Sequence, residues 1–355
     1  MHELSDWGPL LVATAVCIVL LVTLARVAKR IGLVDIPTDR KLHSQPIPLV
    51  GGISVCASLV AGLLVSTIPL SEYRVLFLCM LAIAILGVLD DYRELDARNK
   101  FWMQLATAFV LVYFGDATIR SVGEVFFYAK SFGLAALAIP FSVIAIVGTV
   151  NAFNMSDGHD GLAALYLILG IAALLFLSDY QGQSDNRILV LILVSMLPFL
   201  VFNFAEFVGR EKQVFLGDAG STALGLILVY FLIDLSKTEN SVLKVAAAPW
   251  IIGMPLLDMM AVLFFRLRKR TSPLIADRLH VHHLLLELGV SKHGVLVILG
   301  ATQVIFVGVG VAGTIWQWND GILIWSCFIL LAVYTWVASV ARVEIAKRKI
   351  ASNCG

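Results

Sequence analysis

Residues 75–91 read VLFLCMLAIAILGVLDD. Fifteen residues without a charge run directly into Asp90 and Asp91. At 1.5 Å per residue the uncharged part makes a helix about 22 Å long, most of the ~30 Å hydrocarbon core of a bilayer. A soluble surface helix of this length shows a polar face, and this segment has none. It predicts a membrane helix that delivers two adjacent carboxylates to the membrane boundary.

The rest of the chain has the same character. Of its 355 residues, 59% are hydrophobic and 14% charged, against roughly 25% charged in an average soluble domain. Mean hydropathy is +0.91. Apolar runs fall at about 9–28, 48–70, 74–90, 101–115, 132–150, 161–178, 187–207, 219–235, 242–265, 294–314 and 321–340. The expected fold is all-α: a polytopic integral membrane protein of about 11 transmembrane helices, one membrane-embedded domain over 1–355. A soluble enzyme, a secreted disulfide scaffold and a disordered chain are excluded. The first run is a span and not a signal peptide, because it is long, lacks a basic region before it and runs into Arg26, Lys29 and Arg30. Cys17, Cys56, Cys79, Cys327 and Cys354 form no CxxC pair and read as small membrane-core or tail residues.

Basic residues set the orientation. Twenty of the 26 Lys and Arg fall in the loops after odd-numbered runs. The positive-inside rule makes those loops cytoplasmic. The N-terminus is then outside and the C-terminus cytoplasmic. The cytoplasmic loops are 29–52, 89–100, 151–161, 208–221 and 266–293, and the last has room for one short amphipathic helix.

These loops also hold the unusual residues. An acid at a helix C-terminus opposes the macrodipole, and a neighbouring like charge adds to the cost. Asp90 and Asp91 therefore need compensation, which a divalent cation would supply; the alternative is a solvated helix end. Asp157, Asp160 and Asp218 flank other apolar runs on the same face. Mg²⁺ is often held by one or two carboxylates plus substrate phosphates, which suits a scattered set of aspartates. Gly158 and Gly161 flank Asp160, and Gly217 and Gly220 flank Asp218. Glycines at helix entries admit close approach of an anion to free N–H groups, although tight turns alone also use them. His280, His282 and His283 follow Arg278. If 278–284 is helical, His280 and His283 share a face. Zinc is disfavoured because no cysteine lies in a cytoplasmic loop, and a phosphate clamp or an interfacial helix remains. Spacing assigns nothing to His43 or His159. Asp258 lies inside the ninth apolar run, as a functional acid or a helix–helix contact. Together these residue types point to phosphate chemistry at the cytoplasmic surface, between a soluble phosphorylated donor and a lipid acceptor.

Five strings carry a resemblance: Asp35 to Gly52 (DIPTDRKLHSQPIPLVGG), LDD at 89–91, Asn151 to Leu162 (NAFNMSDGHDGL), Phe215 to Ser221 (FLGDAGS) and Asp277 to Leu284 (DRLHVHHL). In this order, over nearly the whole chain, they resemble the polyprenyl-phosphate N-acetylhexosamine-1-phosphate transferases. The likeness is greatest to the WecA-type branch, which moves N-acetylglucosamine-1-phosphate from UDP-GlcNAc to undecaprenyl phosphate. The resemblance implies a bacterial inner-membrane enzyme with its active site facing the cytoplasm. It would need Mg²⁺, with Mn²⁺ as a substitute, and would release UMP in the first membrane step of a cell-envelope polysaccharide pathway. It further implies catalytic roles for Asp90, Asp91, Asp157, Asp160 and His280. The paired aspartates would serve the acceptor phosphate, one of them as a base, and Asp218 with Asp91 would bind the metal. Asn154 would lie on the nucleotide and metal side, and Phe215 near the uracil. Arg278, His280, His282 and His283 would contact the pyrophosphate and sugar. Asn203 matches another donor-site asparagine. Lys41 is the candidate basic donor contact, beside Arg40 and His43. The bilayer is the expected environment and nucleic acid is not an expected partner; the sequence does not fix the oligomeric state, a homodimer being one candidate. His159 and Ser156 depart from the family's pattern and bear on sugar preference. The alternatives are the same chemistry on another UDP-N-acetylhexosamine, including UDP-MurNAc-pentapeptide, and, further off, a transporter or flippase.

Overall fold

The computed structural model describes residues 3–37, 45–126, 131–183, 186–237, 241–272 and 279–353. Lys41 and Arg278, with Arg40, His43 and Asp277, lie outside them. The described residues are helical almost throughout. Helices α1 (Glu3–Ile31), α2 (Gly51–Leu64), α3 (Leu70–Arg93), α4 (Ala97–Phe114), α5 (Ala138–Ser156), α6 (Leu162–Tyr180) and α7 (Arg187–Asn203) come first. The short α8 (Ala205–Val208) precedes α9 (Gly217–Asp234) and α10 (Ala248–Ile251). Then follow α11 (Gly253–Arg268), α12 (Val281–Glu287), α13 (Lys292–Ile315) and α14 (Asp320–Asn353). Two-residue strands β1 (Val34–Asp35) and β2 (Ile47–Pro48) pair antiparallel.

Each of the eleven apolar runs lies on helix. Seven helices are long and apolar enough to cross a membrane, or eight if one bent pair counts as a span. The short ones explain the difference from eleven. The 14 residues of α2 and 17 of α7 reach only about 21 and 26 Å, and α4 begins with Arg98 and Lys100. The bent pair is the run at 242–265, where the helix breaks between Ile251 and Gly253 and turns by 82°. A break frees backbone groups that lipid cannot satisfy. Gln303 of α13, fully buried, supplies both partners: its Oε1 accepts from Met254 N–H (2.9 Å) and its Nε2 donates to Ile251 C=O (2.7 Å).

Helix α9 is the central pillar, buried over almost its entire length and packed against α2, α3, α5 and α6. From Ala223 to Ile233 its side chains are apolar on every face, Tyr230 alone carrying a hydroxyl, as full burial requires. Helices α1 and α14 present exposed Ile, Val, Leu, Phe and Trp side chains outward, which a bilayer would cover. Around the first turn of α9 the backbones nearly touch. A Cβ on Gly52 would lie 2.1 Å from Gly220 N, and one on Gly87 would lie 2.3 Å from Ala219 N. These two glycines bring α2 and α3 against the segment that carries Asp218.

Candidate active site

The site grows from the meeting of α3 and α9. Asp91 is tied to the start of α9: Oδ1 accepts from Asp218 N–H (3.0 Å) and Oδ2 from Ala219 N–H (3.5 Å). The electropositive end of α9 thus offsets a carboxylate that sits badly at the end of α3. Gly217 adopts φ +73°, and a Cβ there would stand 2.6 Å from Asp91 Oδ2, so the residue must be glycine on both counts. Asp90 Oδ1 accepts from Leu95 N–H (2.8 Å). Its Oδ2 receives Lys100 Nζ, which also donates to Asp218 Oδ2 at 2.9 Å. Asn154, on the last turns of α5, donates to Asp218 Oδ1 (2.9 Å) and Ser221 Oγ (3.0 Å).

The compensation demanded by Asp90 and Asp91 therefore comes from the chain itself, from Lys100 and from the backbone of α9. By sequence position alone Lys100 is one more basic residue of the 89–100 loop. It stands in the first turn of α4, where a cation opposes the helix dipole. That unfavourable placement, ten residues after an acid pair, was the available signal.

The carboxylates still outnumber their partners. Asp157 caps the end of α5, half-buried. Burial, then the charges of Asp218, Asp91, Asp160 and Asp35, push its carboxyl well above the usual range. Among the described residues no group of three His, Cys, Asp or Glu side chains is gathered as a ready-made metal cage. The donor set nevertheless fits Mg²⁺, which takes oxygen ligands, needs few of them from protein and would relieve this crowding. Lys100 already shows a cation standing between Asp90 and Asp218.

Facing the carboxylates is a histidine arm. Helix α12 starts at Val281, so His280 is its extended N-cap residue and not part of it. The His280–His283 pairing expected from helical spacing is replaced by a row. The His280 and His282 rings stack in parallel at 5.8 Å, and His282 meets His283 at 4.2 Å. His282 is 2% exposed, with Nε2 unpartnered among the described residues. Burial, then the neighbouring His283 and His280, lowers its pKa to about 3. Gly158 lies against this ring; a Cβ there would be 2.8 Å from Nε2. His159 donates from Nδ1 to Asp160 C=O (3.2 Å), and burial holds its pKa below normal.

The remaining motif residues form the floor. Phe215 N–H donates to Pro48 C=O and Gly51 N–H to Phe215 C=O, both at 2.9 Å, zipping the first and fourth motif loops together. Asn203 Nδ2 donates to Val214 C=O (2.9 Å), and Gln213 Nε2 donates to Asn203 C=O (2.8 Å) and reaches Asp160 Oδ2 (3.5 Å). Gln213 and Lys100 are the site residues that the sequence reading missed.

One cavity of about 2030 Å³ joins these groups. Asp91, Lys100, Asn154, Asp157, Asp160, Asn203, Phe215, Asp218, His280, His282 and His283 all line it. Asp90 adjoins it through Lys100. The cavity reaches from Asp218 at the start of α9 to Val229, Leu232 and Ile233 near its end, positions about 22 Å apart at helical rise, between apolar walls that include Ile119, Val122, Leu232, Ile324 and Phe328. Phe141 and Ile144 of α5 and Met260 of α11 line it and are also exposed on the outer surface, so it opens sideways.

Fold and site define a polytopic membrane protein with a carboxylate-rich polar chamber at one end of a long apolar cavity. Residues 73–236 match the model of glycosyl transferase family 4. The chain is 31% identical, over 93% of its own length and 91% of the relative's, to the undecaprenyl-phosphate alpha-N-acetylglucosaminyl 1-phosphate transferase of Escherichia coli O157:H7. The proteins of the same name from Yersinia pestis and Haemophilus influenzae are 31% and 30% identical. They cover 81% and 89% of this chain, which spans 79% and 89% of them. The chain belongs to glycosyl transferase family 4.

Proposed function

We propose that this protein transfers N-acetylglucosamine-1-phosphate from UDP-GlcNAc to undecaprenyl phosphate, giving undecaprenyl-pyrophosphoryl-GlcNAc and UMP. The observation that carries the reading is the single cavity, with the Asp90–Lys100–Asp218 cluster at one end and some 22 Å of apolar wall beyond it. A polyprenyl chain suits the apolar length, and its phosphate suits the head. The names of the relatives agree.

In the mechanism, an oxygen of the acceptor phosphate attacks the donor β-phosphorus and UMP leaves. Asp90 or Asp91 takes the acceptor's remaining proton. With a second phosphate pKa of about 6, that proton is mostly gone at neutral pH, so the base contributes modestly. Lys100 holds the acceptor phosphate between Asp90 and Asp218. His280, His282, His283 and Arg278 bind the pyrophosphate and sugar, Phe215 lies by the uracil, and Lys41 is a further donor contact. Asn154 orients Asp218, and Asp157 and Asp160 line the donor side. Asp218 and Asp91 would hold Mg²⁺, or Mn²⁺ in its place, and the ion when bound would supply charge neutralisation for the donor pyrophosphate. In this reading eleven spans cross a bacterial inner membrane, the short α2 and α7 and the charge-bearing α4 among them, with the N-terminus outside and the site at the cytoplasmic face. A homodimer in that membrane fits the exposed apolar flanks.

The test is a panel of UDP-sugars with undecaprenyl phosphate and purified protein in detergent, reading UMP. UDP-GlcNAc is expected to turn over. Turnover of UDP-MurNAc-pentapeptide alone would overturn the sugar. Failure to exchange labelled UMP with lipid-linked sugar would favour a transporter. A UMP burst without acceptor would replace direct attack by a covalent aspartyl-phosphate.

A further inference from the structure

Asp258 is an acid within a helix long enough to enter the membrane, and it is 7% exposed. A carboxylate there must be fully paired to persist. It receives three hydrogen bonds. His280 Nδ1 donates to Oδ2 (2.8 Å), and Val281 N–H (3.0 Å) and Tyr334 O–H (2.7 Å) donate to Oδ1. A contact made only to join α11 and α14 would need Tyr334 alone. Two of the three bonds instead fasten the backbone and ring at the head of the histidine arm. With Nδ1 taken, Nε2 is the only ring nitrogen of His280 left to meet a ligand, and His280 lines the cavity. The His282 ring lies parallel to that of His280, 5.8 Å away. A second tie from α14 acts on the same segment: Arg342 donates to Leu279 C=O while its guanidinium lies 3.8 Å over the Phe265 ring.

We propose that Asp258 and Tyr334 are positioning residues for the donor: Asp258 sets the tautomer and angle of His280 so that Nε2 faces the donor pyrophosphate, and Tyr334 holds Asp258 in place from α14. The proposal rests on the transferase reading above. A carboxylate behind a histidine fixes which nitrogen is presented, and removing such a partner typically costs about ten- to a hundred-fold.

The experiment uses Asp258→Asn and Tyr334→Phe of the full chain in detergent, titrating UDP-GlcNAc and undecaprenyl phosphate separately and reading UMP. Asp258→Asn is expected to lower donor kcat/KM by about ten- to a hundred-fold, with acceptor KM moved no more than about twofold. Tyr334→Phe should shift the same parameter the same way by about threefold or more, having lost one of three donors to the carboxylate. In both, the thermal shift on adding UDP-GlcNAc should shrink. A merely structural role would lower donor and acceptor parameters together, and that result, or unchanged donor kinetics, overturns the proposal. If Asp258→Asn does not fold, Tyr334→Phe decides, since it removes a single oxygen. Wild-type protein inert to every donor would refute the transferase reading and this inference with it. Wild-type turnover with unchanged variants would refute this inference alone.

Discussion

Gly87→Ala tests whether helix packing sets the active-site geometry. The new Cβ would stand 2.3 Å from Ala219 N, 2.4 Å from its Cα and 2.6 Å from Asp218 C. All three are backbone atoms, so no rotamer change relieves the clash. Reaching an ordinary 3.4 Å contact requires α3 and α9 to part by about 1 Å at this level. Overpacking of this kind costs about 1–3 kcal/mol. The catalytic cost is larger, because the same helix pair carries the site one turn further on. Asp91 Oδ1 sits 3.0 Å from Asp218 N–H, and a 1 Å parting takes that bond beyond hydrogen-bonding range. The Lys100 bridge between Asp90 and Asp218 opens as well. Misplacement by ~1 Å can cost about a hundred-fold in rate. Initial rates of UMP release at saturating donor and acceptor should therefore fall by about that factor, while the protein remains folded with a modestly lower Tm. Gly308→Ala, whose Cβ meets nothing within 4 Å, is the control and should change neither. Turnover by Gly87→Ala within threefold of wild type would refute the reasoning.

Three further outcomes are expected. Lys100→Met removes an ammonium shared by two carboxylates, worth about 1.5–3 kcal/mol. It should lower acceptor kcat/KM by about ten- to a hundred-fold, with Lys100→Arg restoring little because the fork does not fit a point-charge site. Gln303→Leu strands Met254 N–H and Ile251 C=O at the break. At about 0.6–1.7 kcal/mol per bond in a membrane the Tm in detergent should fall by several degrees, and an unchanged Tm would mean the clasp does not hold the bend. His282 has a folded pKa of about 3 against an ordinary 6.5. The unfolded chain thus binds the extra proton, and stability is lost as pH falls below about 6.5, by up to ~1.4 kcal/mol per unit. His282→Gln should flatten the slope of Tm between pH 5 and 6.5, and an equally steep slope would contradict the assignment.

Much of the molecule was legible because membrane burial writes itself into composition. The run at 75–89 is a helix, and so is each of the other ten runs. Asp91, Asp157, Asp160 and Asp218, with Gly158 and Gly217, do gather on one cavity. Pairing across loops was not legible. Asp90 and Asp91 raised a correct demand for positive charge, but spacing could not show that Lys100 and the N–H groups of α9 meet it. The 82° break was also hidden. Hydropathy averages over 242–265, and Gly253 and Pro255 signal a bend only once Gln303, some fifty residues away, is seen to satisfy it. The His280–His283 pairing fails for a local reason: the helix begins at Val281 and not at 278, because His280 and the Val281 N–H are drawn to Asp258.

The bond from Tyr334 to Asp258 also has a bearing on how the protein is made. Asp258 and the histidine segment leave the ribosome well before α14. Until α14 inserts, the carboxylate lacks its third donor and Leu279 C=O lacks Arg342. A nascent chain can thus assemble the α3–α9 chamber while its histidine arm is still unlatched. The last contacts of the histidine segment arrive only with the helix that follows every motif. A chain stopped before α14 should therefore use the donor less well than the full chain, by at least the few-fold expected of Tyr334→Phe.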